Sequence, residues 1–440
     1  MTKGGTITKA FMNDGICANR RIVAGIAHGS GAPAVIEASS GVAPASSHAL
    51  DEAFVQVEAE TRAIQGSKHV AELQSLRGLA ATAVLVHHVT FFIALTPGLR
   101  RGAEIAFNAH AAVVLFFVLS GFVLSVALTR RPVTLASVAG FYVQRGFRIY
   151  PALWIACMLA VASVFVARGI ALPVWVHPGF RTAYAEVADH PLRWLPAFAA
   201  LAFTLPLPMW SLFVELVGSL LMPLIAVATR RPAALAAVVL MLVAVGAAVA
   251  GARGPIGFAA YLPCFTGGAF VYRWRERVAD MLASNRRALS LAAVGFVLLW
   301  FGRLVAGSAW AFDRSYHSYP ATLLETVGAA LLIAAIVARP VAFAPLRHSV
   351  LLWLGDVSYS LYLVHVPLMV LLAGLAASTV RPAPALAALV VLLPLLAILA
   401  ASLAHIVYRW IEVLAIRIGR WVSADVERLV DHLYTGALRR

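Results

Sequence analysis

Apolar residues along this chain gather into long blocks separated by short polar gaps rich in arginine. Ten blocks, at 76–96, 110–128, 149–168, 210–228, 233–251, 257–273, 288–306, 321–338, 354–377 and 383–408, have the length that a hydrocarbon layer of roughly 30 Å demands, about 20 helical residues each. Each predicts a transmembrane helix, and the last two are long enough to tilt. The stretch 194–207 is apolar but short and broken by Pro196 and Pro206; it reads as an interfacial or re-entrant piece. Residues 1–71 carry no block of spanning length and no short apolar core followed by a small-residue cleavage site. They predict a flexible cytoplasmic extension, ahead of a membrane domain over 72–415 and a short basic cytoplasmic tail over 416–440.

Composition sharpens this picture. The chain is 61% hydrophobic and 12% charged, against about 45–50% and about 25% for soluble domains. This composition argues against a compact soluble fold of this size, and disorder over most of the chain is excluded. The net charge of +15 does not point to nucleic acid, because its arginines cluster between the apolar blocks. Assigning the gaps alternately to the two sides puts 19 arginines on the side of the termini and nine on the other. That bias predicts both termini in the cytoplasm. The expected fold is an all-α polytopic membrane bundle of about ten helices, multi-pass in the cell inner membrane. Cys17, Cys157 and Cys264 give neither a disulfide framework nor a zinc spacing. No metal and no resident cofactor are expected.

Polar groups at bilayer depth are costly and need a reason. Arg77 and His88 stand eleven residues apart in the first block, which on a helix is three turns and about 16 Å on one face. Arg77 near the surface suits a phosphate-bearing ligand, and His88, deeper, suits general-base work. A snorkelling arginine and a histidine bonded to a neighbouring helix explain the pair as well. Arg145 and Arg148 share a face at i, i+3 and either clamp phosphates or only set topology. Glu215 follows Trp210 and shares a face with Ser211, in a position to orient an imidazole, hold an acceptor hydroxyl or pair with an arginine. In Ser358-Tyr359-Ser360-Leu361-Tyr362-Leu363-Val364-His365, the residues Ser358, Tyr362 and His365 share a face, to line a polar cavity or to glue helices by hydrogen bonds. Glu325 is taken as structural, and His110, His177, His190, His317 and His405 have no evident partner.

These segments, in this order, resemble the acyltransferase-3 family of integral membrane acyltransferases. Leu76-Arg77-Gly78 through His88 looks like its Arg-x10-His signature. Leu115-Phe116-Phe117-Val118-Leu119-Ser120-Gly121-Phe122, the Arg145/Arg148 pair before Ile149-Tyr150-Pro151, Trp210-Ser211-Leu212 to Glu215, and the Ser358–His365 run fall where the family has them. The similarity covers about residues 72 to 415. Val114 stands where the family often has an Asp just before the Leu-Phe-Phe of the second helix, and Glu412-Val413-Leu414 lacks a proline common at the end of the last. The resemblance is to members without the fused extracytoplasmic hydrolase-like domain.

The resemblance implies O-acetylation: transfer of an acyl group, usually acetyl from acetyl-CoA, to a hydroxyl of a cell-surface carbohydrate or lipid-linked glycan such as lipopolysaccharide or another polysaccharide. In that layout His88 and Glu215 are catalytic, and Arg77, Arg145 and Arg148 bind the donor. Ser211, Trp210, Ser358, Tyr362 and His365 line the cavity. The partners implied are an acyl-CoA donor, a glycan acceptor and membrane lipid. A secondary transporter or exporter is the competing class, with the same residues forming a substrate or proton path; no repeated halves with broken helices support it.

Overall fold

The computed structural model describes residues 71–167, 172–181, 191–201, 208–252, 254–305, 318–379 and 384–437. These residues are almost wholly helical. The helices are α1 (Ala71–Phe92), α2 (Pro97–Ala106), α3 (Ala109–Thr129), α4 (Leu135–Ala167), α5 (Met209–Ala228), α6 (Pro232–Val249), α7 (Pro263–Met281), α8 (Asn285–Val305), α9 (Tyr319–Ala338), α10 (Ser349–Thr379), α11 (Ala385–Val407) and α12 (Val413–Ala437). Short 3-10 segments cover Pro191–Ala199, Gly254–Tyr261 and Pro340–Arg347. No strand occurs among the described residues; a single bridge pairs Ile93 with Val176.

Every predicted apolar block coincides with a helix. Among the described residues nine helices are long and apolar enough to cross a membrane. The opening helix α1 has the length, at 22 residues, but Arg77, His87 and His88 keep it out of that set. The chain is an all-α polytopic membrane bundle. Boundaries moved where polar residues continue a helix beyond the apolar block. α4 starts at Leu135, not near 149, so Arg145 and Arg148 project from a helix. The helix over Val413–Ala437, which takes in most of the 416–440 stretch expected as a basic tail, packs along α4. The 3-10 segment at 191–199 tucks Trp194 and Ala197 into the core beside α4, where Trp154 Nε1 donates to the Phe198 carbonyl at 3.0 Å. The rest of the predicted re-entrant stretch, and residues 1–70 of the N-terminal extension, lie outside the described residues.

The core forms two packed clusters, and α1 belongs to both. Ala81, Leu85, Val89 and Phe92 pack with α4, α10 and α11. Leu73, Ala80 and Val84 pack with α3, α5, α7 and α9. Small residues set the helix separations, as expected where van der Waals packing drives association in lipid. A Cβ at Gly78 would lie 2.6 Å from the Gly355 nitrogen, and one at Gly268 would run into the backbone of α3 at Val118 and Phe122. The Gly78–Gly355 crossing holds α1 close against α10 and so determines what the polar residues further along these two helices can reach.

Candidate functional site

Two turns and more along α1 from that crossing, His88 meets α10. His88 Nδ1 lies 2.8 Å from His365 Nε2, with the rings stacked at 5.0 Å. His365 Nδ1 lies 3.0 Å from the Leu361 carbonyl oxygen one turn back. A carbonyl only accepts, so His365 carries its proton on Nδ1 and presents a lone pair at Nε2. His88 must then donate from Nδ1, which leaves His88 Nε2 as the unprotonated, basic nitrogen. The hydrogen-bond pattern thus assigns a tautomer suited to taking a proton. The neighbouring His87 donates through Nδ1 to the Phe107 carbonyl at 2.9 Å.

A cavity of about 220 Å³ lies between α1, α3, α4, α5 and α10. Arg77, Arg145, Arg148, Glu215, Ser211, Ser358 and Tyr362 line it, with Phe116, Phe117 and Tyr359 among the apolar wall. The three arginines are not equivalent. Arg145 Nη2 donates to Glu215 Oε1 at 2.5 Å and to Ser219 Oγ at 2.9 Å. Glu215 Oε1 also accepts from Ser120 Oγ at 3.0 Å, so this carboxylate ties α3, α4 and α5 together. Arg148 is ion-paired to Glu412, which is fully buried and also accepts from Ser360. Its guanidinium stacks over the Tyr359 ring at 5.3 Å. Arg77 makes no hydrogen bond or ion pair with any described residue. Asp356, the acidic group nearby on α10, is bonded instead by Gln74 at 2.6 Å.

Tyr362 forms the upper wall. Ser211 Oγ donates to the Pro208 carbonyl at 3.0 Å, so the 2.5 Å contact between Tyr362 and Ser211 is a donation from the tyrosine. The Tyr362 ring packs on Phe116 at 6.0 Å and on His365 at 6.0 Å. One aromatic layer therefore separates the arginine-lined cavity from the imidazole pair.

Most residues singled out in the sequence converge here, with changed relations. Glu215 does not reach His88; Arg145 and Ser120 hold it, because the adjacent guanidinium is the stronger partner. The group that orients His88 is His365, expected only as a cavity wall. Trp210 does not line the cavity: it packs against Tyr261 at 5.1 Å and Phe258 at 5.6 Å. Ser358 lines it, with its hydroxyl donated to the Gly355 carbonyl at 2.8 Å. Glu412 was missed as a site residue. It sits in a π-helical turn, Tyr408–Glu412, a local irregularity frequent at functional sites, which no spacing rule reveals. Three of the other histidines have definite partners, His177 among them through Arg100 and the Gly179 N–H. His110 meets the buried Glu325 at 2.5 Å and Tyr261 at 2.8 Å, and His405 accepts from Trp353 at 3.2 Å. His190 and His317 lie outside the described residues.

Comparison with known proteins identifies the family. The profile of the acyltransferase-3 family, described as an acyltransferase domain, matches residues 70–406. "Protein 2 in picA locus" of Rhizobium radiobacter is 32% identical over 158 residues, covering 33% of this chain and 76% of that protein. No solved structure matches. The matched region takes in every helix that lines the cavity, and the chain belongs to the acyltransferase-3 family of membrane acyltransferases.

Proposed function

We propose that this acyltransferase moves an acyl group, acetyl in the first instance, from acyl-CoA to a hydroxyl of a cell-surface carbohydrate or lipid-linked glycan. We place it in the inner membrane with both termini cytoplasmic. One observation carries the reading: a basic imidazole nitrogen, held in its tautomer by a second histidine, stands three turns along one helix from an unpaired guanidinium in a cavity. In this mechanism the donor's phosphates sit against Arg77, with the Arg145–Glu215 and Arg148–Glu412 pairs walling the cavity beside it. The cavity is below the roughly 300–1,000 Å³ of ordinary ligand pockets, so it takes part of the donor and leaves the rest outside. The thioester arm passes the Tyr362–Ser211 bridge, which opens by breaking one hydrogen bond.

His88 Nε2 removes the proton of the acceptor hydroxyl as its oxygen attacks the thioester carbonyl carbon. The carbon–sulfur bond breaks, and the departing thiolate takes the proton from His88. Ester and free thiol are the products, and no charge is left on the protein. An acyl-imidazole formed first on His88 Nε2 uses the same nitrogen. Membranes containing the full chain, incubated with labelled acetyl-CoA, should transfer label to glycan or lipid. His88→Ala should lose this transfer while keeping its expression and thermal stability. Turnover retained by His88→Ala would remove the proposed base.

A further inference from the structure

The far end of α1 carries a second built pocket. One turn beyond His88 the chain leaves the helix and is pinned to the 172–181 segment. Ala94 N–H donates to the Trp175 carbonyl at 2.7 Å, and His177 N–H donates to the Phe92 carbonyl at 2.8 Å. This fixes His177 beside α2 and leaves a pocket of about 320 Å³ whose polar lining is Arg100, Arg101, Glu104 and His177. Phe91 does not line the pocket but lies behind two residues that do. The His177 ring stacks on Phe91 at 5.8 Å, and the Arg100 guanidinium lies 5.3 Å from the same ring. His87 stacks on the inner side of Phe91 at 6.4 Å and touches His88 at 5.9 Å. A run of three ring contacts, His177–Phe91–His87–His88, thus links the pocket's edge to the imidazole pair.

The donors here outnumber their acceptors. Arg100 Nη1 points at His177 Nε2 at 3.3 Å, while the Gly179 N–H points at His177 Nδ1 at 3.2 Å. A neutral imidazole offers only one lone-pair nitrogen, so one of these donors is unserved. Arg100 Nε and Arg181 Nε are buried with no hydrogen-bond partner. Burial, Arg100 and Arg181 together hold the His177 imidazole below the ordinary histidine range, so it adds no charge. Glu104 is the one carboxylate in the lining and is electrostatically coupled to Arg100 and Arg101, so three guanidinium groups, Arg100, Arg101 and the adjacent Arg181, share a single acidic neighbour among the lining residues. Buried donors without acceptors are costly, and guanidinium groups match carboxylate and phosphate oxygens.

We propose that this pocket is the acceptor subsite and that it selects an acceptor bearing an oxyanion, a sugar carboxylate or a phosphate. Arg100 and Arg101 take the oxyanion, Glu104 accepts from sugar hydroxyls, and the hydroxyl to be acylated points inward past Phe91 to His88. The inference rests on the acyl-transfer reading.

The test uses the full chain in zwitterionic nanodiscs without donor and measures binding of trigalacturonate, glycerol 3-phosphate and maltotriose. The expected result is that at least one anionic probe binds about tenfold or more tighter than maltotriose. That preference should fall about tenfold in Arg100→Gln/Arg101→Gln and stay unchanged in Arg77→Gln. Arg101 is exposed, so Arg101→Glu folds in any case and should also weaken the anionic probe. Equal binding of maltotriose, or anionic binding indifferent to both Arg101→Glu and the double variant, overturns the proposal. Loss of wild-type probe binding on adding phosphatidylglycerol to the nanodiscs also overturns it, making the pocket a lipid headgroup site. Coenzyme A titration of the same samples separates the two readings: its failure defeats acyl transfer, and the probe series still decides whether the pocket takes oxyanions.

Discussion

The relation between the two imidazoles yields the sharpest quantitative expectation. In His365→Ala the His88 Nδ1–H loses its acceptor at 2.8 Å. A net hydrogen bond is worth about 0.5–1.5 kcal/mol, and each 1.36 kcal/mol is tenfold in rate. Losing the bias toward the productive tautomer therefore lowers kcat by about 2- to 13-fold. Removing the base itself, in His88→Ala, costs about 10²–10⁴-fold. The assay is turnover of labelled acetyl-CoA by the full chain in nanodiscs, with kcat and donor KM determined separately. His365→Ala should lower kcat in the smaller range and leave donor KM unchanged, because His365 does not line the donor cavity. His365→Gln places an amide oxygen near the former Nε2 and should restore most of the rate. If His365→Ala falls as far as His88→Ala and glutamine fails to rescue it, the roles of the two histidines have been wrongly divided. An unchanged rate in His365→Ala would mean that His88 needs no orienting partner.

Arg77→Gln should raise the donor Kd by about 10- to 150-fold, the equivalent of a hydrogen bond to a charged group at about 1.5–3 kcal/mol; unchanged calorimetric affinity for coenzyme A would leave Arg77 as a topology residue. Glu412→Ala strips the partner from Arg148 and should destabilise the protein by about 3–5 kcal/mol, read as a lowered thermal midpoint, with Glu412→Gln milder. Glu325→Gln breaks the buried contact to His110 and should reduce stability more than activity, whereas Glu215→Gln should do the reverse, since Glu215 lines the cavity; parallel Tm and turnover measurements decide. Gly268→Val drives a side chain into the backbone of α3 and should abolish stable insertion, monitored by size-exclusion of detergent extracts.

The helices were legible because the bilayer writes them as blocks of fixed length, and all ten blocks became helices. Their polar ends were not, since the apolar signal stops where α4 continues through Arg145 and Arg148 toward Leu135. The alignment of Arg77 with His88 followed from helical geometry within one element. What spacing could not supply was pairing between elements. Glu215 on α5 had three plausible partners, and only the packing of α3, α4 and α5 selects Arg145 and Ser120. His365 shared its helix face with Tyr362 and Ser358, yet it reaches His88 because Gly78 and Gly355 let α1 and α10 approach. Glu412 lies at the exit of the last predicted block, and only a π turn aims it inward at Arg148.

The charge distribution explains why so many ionic groups persist in one bundle. An unpaired charge at low dielectric costs several kcal/mol, and a pair recovers this only with good geometry. Arg145 and Arg148 are each offset by a carboxylate that also accepts a serine hydroxyl, so these two cations are held in place without demanding a ligand. They make poor phosphate clamps of their own, since a phosphate must compete with Glu215 and Glu412. Arg77 is different: it borders the same cavity, half-buried and without a bonded acceptor among the described residues, so an entering anion would have no carboxylate to displace there. The two ion pairs are then the walls that position the third guanidinium, and donor affinity should depend far more on Arg77 than on either partner-bound arginine. A variant series in which Arg145→Gln weakens coenzyme A binding more than Arg77→Gln, with folding intact, would reverse that order and move the phosphate site to α4.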